Sequence, residues 1–211
     1  MTRMLVFGGL WLGLVGYAML GAPSDDPGTL DLIVRLSTGR WQGLNPLVVA
    51  LFNLMGLWPF AYAAILYFDG RGQKVPAWPF AGASFAFGAF ALLPYLALRQ
   101  PNPSFQGPLS PWLRFLNRPL LGWGLLAASL LGLGWGLTQG DWTDYGRQFH
   151  GSRFIHVMSL DFCALSLLFP TLVGDDLARR HDDRPWLIGL TALPLIGPCA
   201  YLGLRRSLPD A

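Results

Sequence analysis

The chain is expected to be all-α, a polytopic integral membrane protein of about six transmembrane helices, and three observations predict it. Hydrophobic residues make up 53% of its 211 positions and charged residues 13%, more apolar and less charged than an average soluble domain. Six segments are long and apolar enough to cross about 30 Å of hydrocarbon, which takes about 20 helical residues. The connections between them are short and dense in Gly, Pro and charge, leaving no room for a folded soluble domain.

The first segment, 4–22, follows Arg3 and ends in small residues, as a secretory signal does. Its length, and Pro23 immediately after the candidate cleavage point at Ala22, favour a retained membrane anchor. In 25–41, Leu30, Ile33, Val34 and Leu36 recur near helical spacing between polar residues, which predicts a short helix along the membrane surface. Segments 43–68 and 75–98 follow, with Pro59 and Pro94 as kink positions. The stretch 99–118, with Pro101, Pro103, Pro108 and Pro111, reads as a linker between a first half, 1–98, and a second half, 119–211. Segments 119–138, 154–174 and 185–204 complete the set, the last with an expected break at Gly197-Pro198.

The halves resemble each other. A shift of 108 positions places Asn53 on Asp161 and Trp78 on Trp186. After a two-residue gap, Tyr95-Leu96-Ala97-Leu98-Arg99 falls on Tyr201-Leu202-Gly203-Leu204-Arg205. Three crossings per half is an odd number, so a real repeat of this kind is a 3+3 inverted one. Trp at interfaces and Arg at helix ends recur in unrelated membrane proteins, which leaves the repeat open. Counting Lys and Arg on alternate sides of six spans gives seven against eight, and no orientation follows.

The net charge of +3 comes with no basic run, and nucleic-acid binding is set aside. Cys163 and Cys199 lie in apolar segments and read as small hydrophobes. Fourteen arginines against one lysine, and twelve acids all of them Asp, are a compositional bias to which no mechanism attaches.

Asp161 is the most informative residue, because a charged side chain at mid-bilayer costs several kcal/mol, about 2.5 to 3.5 on insertion scales. The first expectation for it is structural, a hydrogen bond to Asn53 or Ser166 that locks helices together. Ligand or proton handling comes second and catalysis third. His156 stands five residues away, about 140° around a straight helix, so the two are no ready-made dyad. His156 and His150 sit near the expected membrane boundary, where a single imidazole is able to ligate a chlorophyll magnesium or a haem iron, but no second His stands at ligand spacing. The loop 175–184 pairs Asp175-Asp176 and Asp182-Asp183 around Arg179, Arg180 and Arg184, which predicts a solvated, salt-bridged turn rather than a magnesium site. No Gly-rich nucleotide loop, Cys/His metal spacing or nucleophile elbow is present.

Two resemblances add to this. In Phe52-Asn53-Leu54-Met55-Gly56-Leu57-Trp58-Pro59, Lys74-Val75-Pro76-Ala77-Trp78-Pro79-Phe80 and 154–162, the chain resembles a group of uncharacterised multi-span proteins of cyanobacteria and chloroplasts. That implies a photosynthetic membrane, a cyanobacterial thylakoid or plasma membrane, and brings no established activity. The last two spans, with Ile155-His156, Asp161 and the ending Leu204-Arg205-Arg206, are also similar to the four-span chloroplast proteins required for neoxanthin formation.

Two expectations follow. One is a non-catalytic accessory or assembly factor that docks helices, or pigments such as carotenoid or chlorophyll, in contact with photosynthetic complexes and the lipid bilayer. The other is a carotenoid- or isoprenoid-modifying enzyme with Asp161 as general acid and His156 relaying the proton. A small transporter, motivated by the inverted repeat, is a third.

Overall fold

The computed structural model describes residues 2–208 as eleven helices. They are α1 (Thr2–Leu20), α2 (Thr29–Ser37), α3 (Pro46–Asp69), α4 (Trp78–Leu98), α5 (Pro111–Asn117), α6 (Pro119–Gln139), α7 (Trp142–Gly151), α8 (Arg153–Leu168), α9 (Pro170–Arg179), α10 (Trp186–Leu190) and α11 (Ile196–Leu204). The all-α expectation holds, and α2 is the short helix foreseen between the first two spans. Five helices are long and apolar enough to cross a membrane: α1, α3, α4, α6, and α8 running on into α9 as Arg153–Arg179. The sixth expected span is not one helix. α10 ends at Leu190 and α11 begins at Ile196, just after Leu195 with its φ of 57°, so the break precedes Gly197-Pro198, which lie in the first turn of α11.

Local chemistry accounts for several boundaries. Asn45 caps α3 by accepting from the Leu47 amide, with Pro46 at the first helical position. Asp141 caps α7 by accepting from the amides of Thr143 and Asp144, and Ser110 caps α5 through Leu113. Pro59 lies within α3 and Pro94 within α4.

α4 doubles back on itself. Gly88 has φ 47° and ψ −126°, and the Phe80 and Tyr95 rings, from the two sides of it, pack with centroids 5.7 Å apart. A straight helix of this length spans about 31 Å. Instead Tyr95 and Arg99 return to Asp69 at the end of α3, close to where α4 begins. The α10–α11 segment repeats the manoeuvre: Tyr201 and Arg205 return to Asp176 on α9, and Arg184 donates to the Leu204 carbonyl at 2.9 Å.

These two hairpins change the topology. Asp69 and Asp176 lie at the same end of the bundle, so α3 and α8–α9 run in the same direction. The matching residues of the two halves are parallel, and the inverted arrangement is corrected. At the opposite end, Asn45 Nδ2 donates to the Asp141 carbonyl and to Asp144 Oδ2, and Arg153 pairs with Asp25. Of the fifteen Lys and Arg, Arg35, Arg40, Arg147 and Arg153 belong to this Asn45 end. The other eleven, Arg3, Arg71, Lys74, Arg99, Arg114, Arg118, Arg179, Arg180, Arg184, Arg205 and Arg206, belong to the Asp69 end.

α3 is the central helix, packed on α4, α6 and α8. Trp58, Tyr62, Phe169 and Tyr201 are buried in its aromatic core, and the Tyr62 hydroxyl donates to the Leu165 carbonyl at 2.6 Å. α6 crosses α11 so closely that a Cβ on Gly122 would lie 2.1 Å from the Gly203 nitrogen. α1 and α6 expose Leu5, Leu12, Met19, Leu20, Leu120 and Leu131, an outer surface suited to lipid.

Candidate functional site

Asp161 is set by α8 at the tip of the α4 hairpin. Its Oδ1 accepts from the Ala89 amide at 2.8 Å. In a continuous helix that amide would bond the Phe85 carbonyl, so the break hands the amide to Asp161 and takes from that carbonyl its helical partner. The carboxylate caps the second half of α4 from another helix, an N-cap supplied across the bundle. Gly88 is required here: its φ lies in the left-handed region, and a Cβ would sit 1.7 Å from Asp161 Oδ2. The expected partners of Asp161 are corrected. Asn53 is exposed and donates to its own Val49 carbonyl at 2.8 Å, and the Ser166 hydroxyl donates to the Phe162 carbonyl at 2.7 Å.

Asp161 lines a cleft of about 520 Å³ between α1, α3, α4 and α8. Phe52, Phe85, Phe87, Phe90, Phe154, Met55 and Met158 make it aromatic and apolar, and residues 84–88 at the hairpin tip line it. Its mouth at the Asn45 end carries the Arg153–Asp25 ion pair at 2.9 Å, with Arg153 Nε donating to the Pro23 carbonyl at 2.8 Å. Eight residues of α8 separate Arg153 from Asp161, so the cleft penetrates about 12 Å along that helix. Gly56 also lines it, with nothing within 4 Å of where its Cβ would stand.

The hairpin tip at Leu195 is built differently. Gly197 donates to the Leu193 carbonyl and Cys199 to the Leu195 carbonyl, each at 2.9 Å, closing the turn with backbone alone. The neighbouring cavity of about 300 Å³ is bounded by Leu54, Leu133, Phe162, Leu193, Pro194 and Ile196, with Ser129 its one hydroxyl. No carboxylate reaches it.

His156 lies outside the cleft. Its Nε2 accepts from the Tyr17 hydroxyl at 2.8 Å, and its Nδ1 donates to the Phe149 carbonyl at 2.9 Å. Both ring nitrogens are engaged in joining α8 to α1 and α7, which leaves none free for a magnesium or iron. His150 is exposed, its ring against the edge of Phe149. Among the described residues no group of three or more His, Cys or Asp is placed to hold a metal ion.

The loop 175–184 is salt-bridged as expected, but its centre is buried rather than solvated. Arg99 grips Asp69 with Nε and Nη2 and also bonds Asp175. Arg179 bridges Asp69 and Asp176, while Arg180 and Arg205 reach Asp176 Oδ2 at 3.0 and 2.7 Å. Tyr95 donates to Asp69 at 2.7 Å and Tyr201 to Asp176 at 2.6 Å. Burial, followed by the repulsion of Arg205, lowers the Arg180 guanidinium to about 10. Nearer the surface, the hydrogen bonds from Arg184 hold Asp182 down at about 2. The sequence signal for this network was present in the paired Tyr-Leu-x-Leu-Arg endings, but those endings do not name Asp69 and Asp176 as their common targets.

Comparison with protein-family models, with characterised proteins and with solved structures finds no match to this chain.

Proposed function

We propose that the chain is a non-catalytic integral membrane component that holds an elongated, mainly apolar molecule in the Asp161 cleft. In this reading it serves as an accessory or assembly factor for the pigment–protein complexes of a photosynthetic membrane. The observation that carries the binding role is the cleft: about 520 Å³, within the range of small-molecule sites, with aromatic walls and a single buried carboxylate. A carotenoid-class or other isoprenoid chain suits such walls. The photosynthetic setting rests on the sequence resemblance in 52–59, 74–80 and 154–162.

The distribution of basic residues supports an orientation. With eleven Lys and Arg at the Asp69 end and four at the other, the positive-inside rule puts the Asp69 end in the cytoplasm and the mouth of the cleft on the opposite side. The test of the function is mild-detergent purification from native membranes, with an absorption spectrum and mass spectrometry of what stays bound. A stoichiometric apolar ligand together with photosynthetic subunits is expected. A ligand-free protein without such subunits overturns the proposal, and Gly56→Leu, which fills the cleft from open space, is expected to release the ligand.

A second reading is favoured by one observation, that a buried acid stands among the apolar walls at the inner end of the cleft: an enzyme acting on a carotenoid or isoprenoid with Asp161 as general acid. His156 has no part in it, since its nitrogens serve Tyr17 and Phe149. Full rescue of a deletion strain by Asp161→Asn rules that chemistry out. The transporter reading loses its support with the inverted repeat.

A further inference from the structure

The two hairpins provide an internal control. Each returns a half-helix to an aspartate through a tyrosine and an arginine, Tyr95 and Arg99 to Asp69, Tyr201 and Arg205 to Asp176. The tip at Leu195 closes with backbone hydrogen bonds, so turning the chain there needs no acid. The position aligned with Asp161 in the first half, Asn53, points away onto its own helix. A buried carboxylate is costly in a membrane, and the fold reverses the chain at Leu195 without one, through a different backbone geometry. Capping Ala89 needs one neutral acceptor, so the negative charge and the second oxygen of Asp161 are in excess of what the hairpin requires.

The surroundings of Asp161 indicate what it faces. The side chain is 5% exposed, Oδ1 serves Ala89, and Oδ2 has no hydrogen-bond partner among the described residues. Beside it, residues 84–88 of the hairpin tip line the same cleft, and the Ala89 amide, which in a continuous helix would bond the Phe85 carbonyl, is turned to Asp161. A carboxylate oxygen and the carbonyl end of a half-helix attract positive charge and donated hydrogen, and repel an anion.

We propose that Asp161 Oδ2, beside the end of the half-helix that stops at Gly88, is the receptor for a cationic or hydrogen-bond-donating group, the ammonium or hydroxyl end of an amphiphile whose apolar chain occupies the cleft. This rests on the proposed binding role of the cleft and names the chemistry of its ligand. A free monovalent cation is the other source of the same chemistry.

The experiment uses the full chain in lipid nanodiscs, titrated with dodecylammonium, dodecanol and laurate, three probes with the same chain and different ends. Dodecylammonium or dodecanol is expected to bind at least about tenfold more tightly than laurate and to raise the unfolding temperature. Asp161→Asn still accepts from Ala89 but turns the second acceptor into a donor; it is expected to remove that discrimination while keeping the unfolding temperature of the empty protein. Sodium chloride in place of N-methylglucamine chloride, stabilising the wild type and not Asp161→Asn, assigns the same receptor to a free ion. Laurate binding as tightly as dodecylammonium, or an unchanged preference in Asp161→Asn, overturns the proposal. If Gly56→Leu abolishes binding of all three while the wild type shows no preference, the cleft stands as a binding site and only the role of Asp161 falls.

Discussion

Asp69 and Asp176 share one guanidinium: Arg179 Nη2 lies 3.1 Å from Asp69 Oδ1, and its Nη1 lies 2.9 Å from Asp176 Oδ1. The bridge joins the end of the central span to the end of its counterpart, and each aspartate in turn holds the returning limb of a hairpin. The two halves are fastened at one end by buried charge, while the Asp161 cleft opens at the other.

Removing Asp176 strands Arg179, Arg180 and Arg205 together without their shared acceptor. Asp176→Ala is expected to destabilise the protein by about 3–5 kcal/mol, as breaking a buried ion pair does. Denaturant unfolding in detergent or bicelles checks it, with Tyr201→Phe and Tyr95→Phe each losing about 1–3 kcal/mol through the bond to a charged acceptor. Wild-type stability in Asp176→Ala would show that the network does not fasten the halves.

Gly88→Ala places a methyl group into Asp161 at a positive φ. A loss of at least about 2 kcal/mol, or failure to accumulate, is expected. Gly56→Ala, in open space on the same cleft, is expected to stay within about 0.5 kcal/mol of wild type. Equal behaviour of the two variants in a thermal unfolding assay would contradict the hairpin tip.

Asp182 titrates at about 2 in the folded protein because Arg184 hydrogen-bonds it at 2.7 and 2.8 Å. A carboxyl depressed on folding stabilises above its unfolded pKa and loses that contribution as pH falls through its folded pKa. Stability is therefore expected to decline between about pH 4 and about pH 2. In Arg184→Gln that part of the acid-unfolding curve flattens; an unchanged curve would assign the decline to other groups.

Topology separates the hairpin arrangement from six crossings without any ligand. Six spans put Gln42 and Ser104 on one side of the membrane, whereas the α4 hairpin puts them on opposite sides. In a Cys163→Ser background, Gln42→Cys is expected to react with a membrane-impermeant maleimide from outside, and Ser104→Cys only after permeabilisation. Labelling of both from the same side sinks the re-entrant assignment.

Sequence alone determined the all-α class, the apolar segments that begin within three residues of Trp78 and Trp186, and the short helix α2, and it singled out Asp161 as a charge in an apolar run. Each follows from near-neighbour chemistry: hydropathy over about 20 residues, interfacial tryptophan, or a charge in an apolar run. It did not determine the number of crossings, because an apolar stretch interrupted by one glycine has the same hydropathy whether it passes through a bilayer or turns back within it. Gly88 was indistinguishable from the chain's other glycines until Asp161, 73 positions later, was seen to require the space of its missing Cβ. The count of seven basic residues against eight became four against eleven for the same reason: the α4 hairpin reassigns every loop that follows it, and the α10–α11 hairpin moves Arg205 and Arg206. Tertiary structure decided which end of the bundle is basic, which residues share Asp69 and Asp176, and what Asp161 touches. Those are contacts between residues far apart in the chain, and local periodicity carries no information about them.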